Sequence, residues 1–467
     1  MRVLFATAEL APLARVGGLA EAAAGLALEL QRQGIELTIV LPDYGDIELD
    51  GADTWALDGP EWAGELTARR GSVGAFGDII LVGRPGMARP HPYVDPVTGQ
   101  GWPDNDYRFY GFAAGIAALV RQLGPDLLHL NDWHTAATLG FLGTPPPTML
   151  TIHTLGYQGI SGAEWLGRLP VDPWRFAWYD VTNPLLGAIR SADAVVAVSP
   201  NYAREILTPE QGMGLDHELA RIGDTLVGIR NGIDTGVWNP ATDPHLPVTY
   251  RPGDDDIKTI EAAKNAARSS IAATFGVPDD DQVLIAMVTR LVDQKGVDIA
   301  LGLAPYLEHL GARLVILGSG QANLVEAVRS SVDHHPHRIA AITDRYDEPL
   351  AHQMFAGADL FVMPSRFEPC GLAQMQAMAY GTIPVATAVG GLVDTITDAD
   401  DDPTNGTGFL SATVDLTGLV DANHRAVRAH RAAKRRRAIQ KRGMAVDWSW
   451  HEPAKQHIEW YQRLLER

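Results

Sequence analysis

The sequence predicts an α/β protein built from two Rossmann-like domains in series. Short apolar runs of strand length alternate with longer helix-like segments along the whole chain, the pattern of parallel sheets covered by helices. The runs fall into two groups. The first lies at 3–6, 37–41, 79–82, 127–130, 149–153, 194–198 and 226–229, and the second at 283–288, 314–317, 339–342, 360–363 and 383–386. Between them, 239–256 carries four prolines and Asp254-Asp255-Asp256 and reads as a linker.

A chain of 467 residues suits about two to three domains of ordinary size. With 46% apolar and 20% charged residues it has a globular composition. The net charge of −19 argues against nucleic acid or a membrane surface as partner. An anionic substrate then needs local positive contacts. The one cysteine rules out an internal disulfide and a cysteine metal cluster, and fits a reducing cytoplasm. The opening residues are apolar only until Glu9, so they read as a first strand rather than a leader. No apolar run reaches membrane-spanning length.

In such sheets ligands bind beyond the carboxyl ends of the strands, so the residues after each run matter most. The first run leads to Arg15-Val16-Gly17-Gly18-Leu19, a glycine corner before a helix-like stretch. The run 127–130 ends in Asn131-Asp132-Trp133-His134, and 149–153 ends in His153 followed by Tyr157-Gln158-Gly159. Aromatic and polar groups together suit a sugar, although a single histidine at a strand end is usually structural. Asn231-Gly232 follows 226–229 and is otherwise a plain turn. In the second group, 283–288 leads to Thr289-Arg290 and on to Lys295-Gly296. A fork and a point charge at one strand edge suit a diphosphate, while two surface charges are the ordinary alternative.

The run 360–363 leads to Pro364-Ser365-Arg366-Phe367-Glu368-Pro369-Cys370-Gly371-Leu372. Pro369 and Gly371 set a turn, and apolar positions from Leu372 recur at helical spacing. A helix end beside a carboxylate can hold a phosphate and a sugar hydroxyl, or can be an ordinary strand-to-helix connection. A second glycine pair, Gly390-Gly391-Leu392, follows 383–386. The acidic run 398–403 reads as a solvated loop, and the arginine-rich 425–442 as an exposed helix. The segment 447–467 places Trp450, Ile458, Tyr461 and Leu465 at amphipathic helical spacing.

These motifs resemble, almost end to end, the bacterial and plastid-type glycogen/starch synthases. The matching stretches are Gly17-Gly18-Leu19, Asp132-Trp133-His134, Thr151-Ile152-His153, Ala197-Val198-Ser199-Pro200, Asn231-Gly232-Ile233-Asp234, Gln294-Lys295-Gly296, 364–372 and Asp447-Trp448-Ser449-Trp450. The resemblance implies a GT-B fold, with two Rossmann-like domains across a cleft. Its domains would be 1–240 on the acceptor side, a linker 241–256, a nucleotide-sugar domain 257–446, and a C-terminal helix 447–467 returning to the first domain. It implies retaining transfer of glucose from ADP-glucose to the 4-OH of an α-1,4-glucan, with no cofactor or metal, in the cytoplasm. By position, Arg290 and Lys295 would hold the diphosphate, with the backbone of Gly371 and Leu372 at the helix end. Glu368 would orient the transferred glucose, and His153 would touch it near its 6-OH. Tyr346 would stack on the base, and Arg15, Gly17, Gly18 and Asn231 would line the donor side. Cys370 would line the pocket or serve as a small buried hydrophobe. Asp132, His134, Glu9, Glu21, Tyr157 and Gln158 would face the sugar and acceptor.

Three positions depart from the family pattern. Arg15 replaces a usual lysine, Glu21 a usual aspartate, and Ala373 a residue that often carries a hydroxyl. They bear on the donor, the acceptor and the rate. Other readings are UDP-glucose as donor, glucose 1-phosphate as acceptor giving maltose 1-phosphate, and a non-catalytic glucan-binding protein of the same fold.

Overall fold

The computed structural model describes residues 1–253 and 255–466. Asp254 and Arg467, which fall in the expected linker and C-terminal segment, lie outside the described residues. The chain forms two compact units, one of 1–232 with 450–467 and the other of 233–449.

The first unit holds strands β1 Arg2–Ala6, β2 Glu36–Pro42, β3 Asp50–Leu57, β4 Leu66–Val73, β5 Gly77–Gly83, β6 Leu127–Asn131 and β7 Thr148–Ile152. A small sheet follows, of β8 Ser161–Gly162, β9 Ala177–Trp178 and β10 Val181–Thr182, and then β11 Ala194–Ala197 and β12 Leu226–Gly228. Among the described residues the main sheet runs β12-β11-β7-β6-β1-β2-β5-β4-β3, parallel except for β4 and its two neighbours. β1, β6, β7 and β11 are buried on both faces but for Arg2, which is why they read as continuous apolar runs. β3 is exposed along most of its length, so no apolar run announces it.

The C-terminal helix His451–Leu465 packs in this unit against the helix Gly18–Arg32. Its buried face carries Ala454, His457, Tyr461 and Leu464. The indole of Trp450 lies where a Cβ on residue 25 would stand, so Gly25 is required for this packing. Tyr461 and Thr151 hold the two ring nitrogens of buried His129, at 2.6 Å from Nδ1 and 2.7 Å from Nε2. His129 lies on β6 and Thr151 on β7, so the helix braces the two strands that lead to the site. Tyr461→Phe leaves a buried ring nitrogen unpaired, and is expected to cost about 1–3 kcal/mol. Urea unfolding checks this, and a loss below about 0.3 kcal/mol contradicts it.

The second unit is an all-parallel sheet of β13 Val283–Val288, β14 Ala312–Leu317, β15 Ile339–Ile342, β16 Leu360–Met363, β17 Ile383–Thr387 and β18 Phe409–Ser411, ordered β15-β14-β13-β16-β17-β18. The stretch read as a linker is packed into this unit. Buried Asp243 accepts from the Tyr380 hydroxyl at 2.5 Å and meets His352 Nδ1 at 2.6 Å. The Tyr250 hydroxyl donates to the Tyr380 carbonyl at 2.7 Å. Prolines interrupt the stretch locally, but partners more than a hundred residues away anchor it through buried Asp243 and Tyr250, while Thr242 and the residues 247–249 stay exposed.

The acidic run is likewise not simply solvated. Asp398 is buried and accepts from Arg425 and from the amide of Leu410, while Arg425 and Arg435 both pair with Asp400. The arginine-rich stretch forms two helices, Leu416–Arg431 and Ala433–Ala445, whose Arg436 and Arg437 pair with Glu261 at 2.9 Å.

Candidate active site

Strand order in each unit reverses at one point, and the motif residues collect there. In the second unit β13 leads outward to β14 and β15, while β16 leads the other way to β17 and β18. The switch point is the gap beyond β13 and β16, where open α/β sheets bind ligands.

The loops after those two strands are knitted together. Arg366 N donates to the Gln294 carbonyl at 2.8 Å, and Gln294 Nε2 to the Phe367 carbonyl at 3.1 Å. Gly296 has φ +61°, and a Cβ there would overlap the Pro364 carbonyl. Lys295 Nζ therefore reaches Glu368 Oε2 at 2.6 Å, and the same oxygen accepts from Ser365 Oγ at 3.0 Å. Glu368 is only 5% exposed, so the carboxylate depends on these partners. The ammonium has three N–H groups and uses one here, which leaves two for an anion. Arg290 is exposed at the end of β13, and its guanidinium has no ion-pair partner among the described residues. Cys370 is buried, and Gly371 holds φ +72° before the short helix Ala373–Ala379 that Leu372 opens. Tyr346 is half-exposed beyond β15.

The second glycine pair serves this same loop. Gly390 has φ +47°, and a Cβ there would overlap the Glu368 carbonyl. The Gly391 amide donates to that carbonyl at 2.9 Å. Gly390→Ala is expected to displace Glu368 and cost about 1–3 kcal/mol in backbone strain alone. Thermal unfolding measures the cost, and an unchanged melting temperature contradicts it.

In the first unit β1 lies between β2 and β6, and the loops after β1, β6 and β7 carry the candidates. Glu9 shapes the first glycine corner. Its Oε2 accepts from the amides of Val16 and Gly17, both at 2.8 Å, and its Oε1 from the Tyr93 hydroxyl at 2.8 Å. Around Gly17 and Gly18 there is open space. Arg15 and Glu21, two of the departures from the family pattern, form an ion pair with each other at 3.0 Å.

Asp132 holds a left-handed backbone, φ +54°, uncommon for a residue with a side chain. Its Oδ1 accepts from the His153 amide at 2.7 Å, fixing the turn after β7. Burial raises the Asp132 carboxyl to about 7. Asn131 Nδ2 donates to the Ala6 carbonyl at 3.0 Å, which turns its Oδ1 toward His153 Nε2 at 3.0 Å. His153 thus carries its proton on Nε2, and burial lowers its pKa to about 3, so the imidazole is neutral at ordinary pH. His134, also lowered to about 3 by burial, stacks on Tyr93 at 4.9 Å between Phe109 and Trp133. Gln158 is buried and spans Leu155, Met213 and Asn183. Tyr157 is exposed, and Asn231 is buried just past β12.

Sequence reasoning missed Tyr93 and Ser365. Tyr93 lies ten residues past the end of β5, in the long loop before the helix Asn105–Leu123, and its link to Glu9 spans 84 positions. Ser365 sat inside the recognised motif, and its spacing of three from Glu368 was the available signal. Among the described residues no group of three His, Cys, Asp or Glu side chains is placed to hold a metal. No helix among them is long and apolar enough to cross a membrane.

Residues 2–221 match the family described as starch synthase catalytic domain, and 273–444 the family of glycosyl transferases group 1. A glycogen synthase of Halorhodospira halophila is 39% identical, over 100% of this chain and 99% of its own length. The chain belongs to the glycogen/starch synthase family. A glycogen synthase of Rhizobium leguminosarum is 37% identical over the full length of both chains. The catalytic domain of Arabidopsis thaliana Starch Synthase IV, solved with ADP and acarbose, has a TM-score of 0.85 and 34% identity, covering 100% of this chain and 99% of that one. A sucrose-phosphate synthase of Thermosynechococcus elongatus, at a TM-score of 0.64 and 17% identity over 100% and 99% of the two chains, shows the fold alone. The fold is GT-B, and as a glycogen/starch synthase the protein is a hexosyltransferase.

Proposed function

We propose that this glycogen/starch synthase transfers glucose from ADP-glucose to the non-reducing 4-OH of an α-1,4-glucan, with retention of configuration. The observation that carries the reading is the Lys295–Glu368 pair at 2.6 Å on two interlocked loops at the switch point. The two remaining N–H groups of Lys295 and the fork of Arg290 bind the diphosphate, and their charge stabilises the departing ADP. Glu368, held by Lys295 and Ser365, takes a hydroxyl of the transferred glucose. Neutral His153 touches the glucose near its 6-OH, and Tyr346 stacks on the adenine. The bond from glucose C1 to the ADP oxygen breaks and one from C1 to the acceptor O4 forms on the same face. The acceptor's hydroxyl proton leaves with ADP.

Domains 1–240 and 257–446 divide the work in this reading, the first serving the acceptor and the second the nucleotide sugar. The reading puts the enzyme in the cytoplasm, where a chain with one free cysteine is at home. Support for ADP comes from the Starch Synthase IV structure, described as bound to ADP.

The test follows nucleotide release from ADP-glucose or UDP-glucose with glycogen, and then with glucose 1-phosphate. Faster release from ADP-glucose with glycogen is the expected result. Release only with glucose 1-phosphate would move the assignment to maltose 1-phosphate synthesis. ADP binding without release would leave a non-catalytic glucan binder.

A further inference from the structure

Asn131 takes no part in the steps above. It closes β6 and is fully buried. Its Nδ2 donates to the Ala6 carbonyl at the end of β1, at 3.0 Å. A carbonyl only accepts, so the amide has one allowed orientation, with Oδ1 3.0 Å from His153 Nε2. An amide oxygen also only accepts, which keeps the ring proton on Nε2. Burial keeps the ring neutral, so Nδ1 holds a lone pair. Among the described residues no group donates to Nδ1, and His153 is partly exposed, which opens that lone pair to a ligand.

The arrangement is built into the sheet. His129–Thr151 and Asn131–His153 both join β6 to the β7 side across 22 positions, one pair two residues beyond the other on the same face. In a regular strand Asp132 would point to the opposite face from Asn131. Its left-handed backbone breaks the strand, and its Oδ1 accepts from the His153 amide at 2.7 Å. Two successive side chains thus hold the ring and the main chain of His153.

We propose that Asn131 is a positioning residue that sets donor specificity through His153: by keeping Nδ1 an acceptor, it selects glucose whose substituent at C6 can give a proton. The proposal rests on the reading above that His153 touches the glucose near its 6-OH. A hydroxyl donates to Nδ1, whereas a fluorine of similar size cannot. A ring free to carry its proton on either nitrogen makes no such distinction.

The test uses the full chain, as wild type, Asn131→Leu and Asn131→Asp. Nitrogen-15 NMR of labelled histidines reads the tautomer, with His153 assigned by its loss in His153→Gln. Affinity and kcat/KM with glycogen are compared for ADP-glucose and ADP-6-deoxy-6-fluoroglucose. The wild type is expected to carry the proton on Nε2 and to prefer the hydroxyl donor by about tenfold to a hundredfold. Asn131→Leu mixes the tautomers and lowers the preference to about threefold or less. Asn131→Asp still accepts from Nε2 and keeps both properties. A wild-type ring protonated on Nδ1, or a wild type that does not distinguish the donors, overturns the proposal. So does an Asn131→Leu variant that loses stability but keeps the full preference, which would make the asparagine structural only. The wild-type spectrum and donor ratio stand as tests even where Asn131→Leu fails to fold. A protein that binds the two donors with the expected difference but turns over neither upholds the proposal and rejects the transferase reading instead.

Discussion

Replacing Lys295 with alanine is expected to lower turnover by about two to three orders of magnitude, the usual loss for one preorganised donor to a developing charge. Two consequences of that substitution must be separated. Glu368 is buried beside Lys295, so truncation strands a carboxylate and costs about 3–5 kcal/mol of stability. Adding Glu368→Gln removes the stranded charge. The double variant Lys295→Ala/Glu368→Gln is therefore more stable than Lys295→Ala yet no more active. Steady-state kinetics with ADP-glucose and glycogen, beside urea unfolding of the same samples, test both halves. Near-normal turnover in either variant removes Lys295 from the chemistry.

Stability is expected to fall steeply as pH drops from 7 to 5. Burial lowers His134 and His153 to about 3, His457 to about 4 and His129 well below the ordinary histidine value. An unfolded histidine titrates at about 6.5, so around pH 5 these four histidines hold protons in the unfolded chain that they lack in the folded one, and burial lowers His430 and His91 in the same direction. A depressed histidine has its full stability above the unfolded value and loses it as pH falls below. Asp132 acts with opposite sign, because its carboxyl is raised to about 7 and is protonated when folded. The four histidines named, less Asp132, contribute about three protons taken up on unfolding, a slope of roughly 4 kcal/mol per pH unit near pH 5 from these groups. Urea midpoints between pH 5 and 7 measure it. A flat profile contradicts the buried neutral histidines, and Tyr461→Phe shifts the profile if His129 contributes.

The sequence made the central parallel strands legible because they are buried on both faces and read as unbroken apolar runs. β3 and β4 were illegible for the opposite reason: β3 is mostly exposed, and a paired edge ribbon carries no apolar run of its own. β9 and β10 are two residues each, too short for any periodicity. The loop 364–372 was legible as a motif, but the reason for Gly390 was not. It lies in the close approach of its backbone to the Glu368 carbonyl, which only the fold brings together. The segment 239–256 misled because proline marks local breaks, whereas Asp243 and Tyr250 anchor it to His352 and Tyr380. Charge runs misled similarly, since Asp398 and Asp400 were read without the arginines that meet them.

The most direct measurement follows ADP-glucose labelled with carbon-13 at C1 by NMR during incubation with maltotriose. The account predicts that the label passes to a new α-1,4 anomeric signal as ADP accumulates in equal amount, and that Lys295→Ala/Glu368→Gln all but abolishes both. A β-anomeric product, or label released as free glucose, would contradict retaining transfer to the glucan.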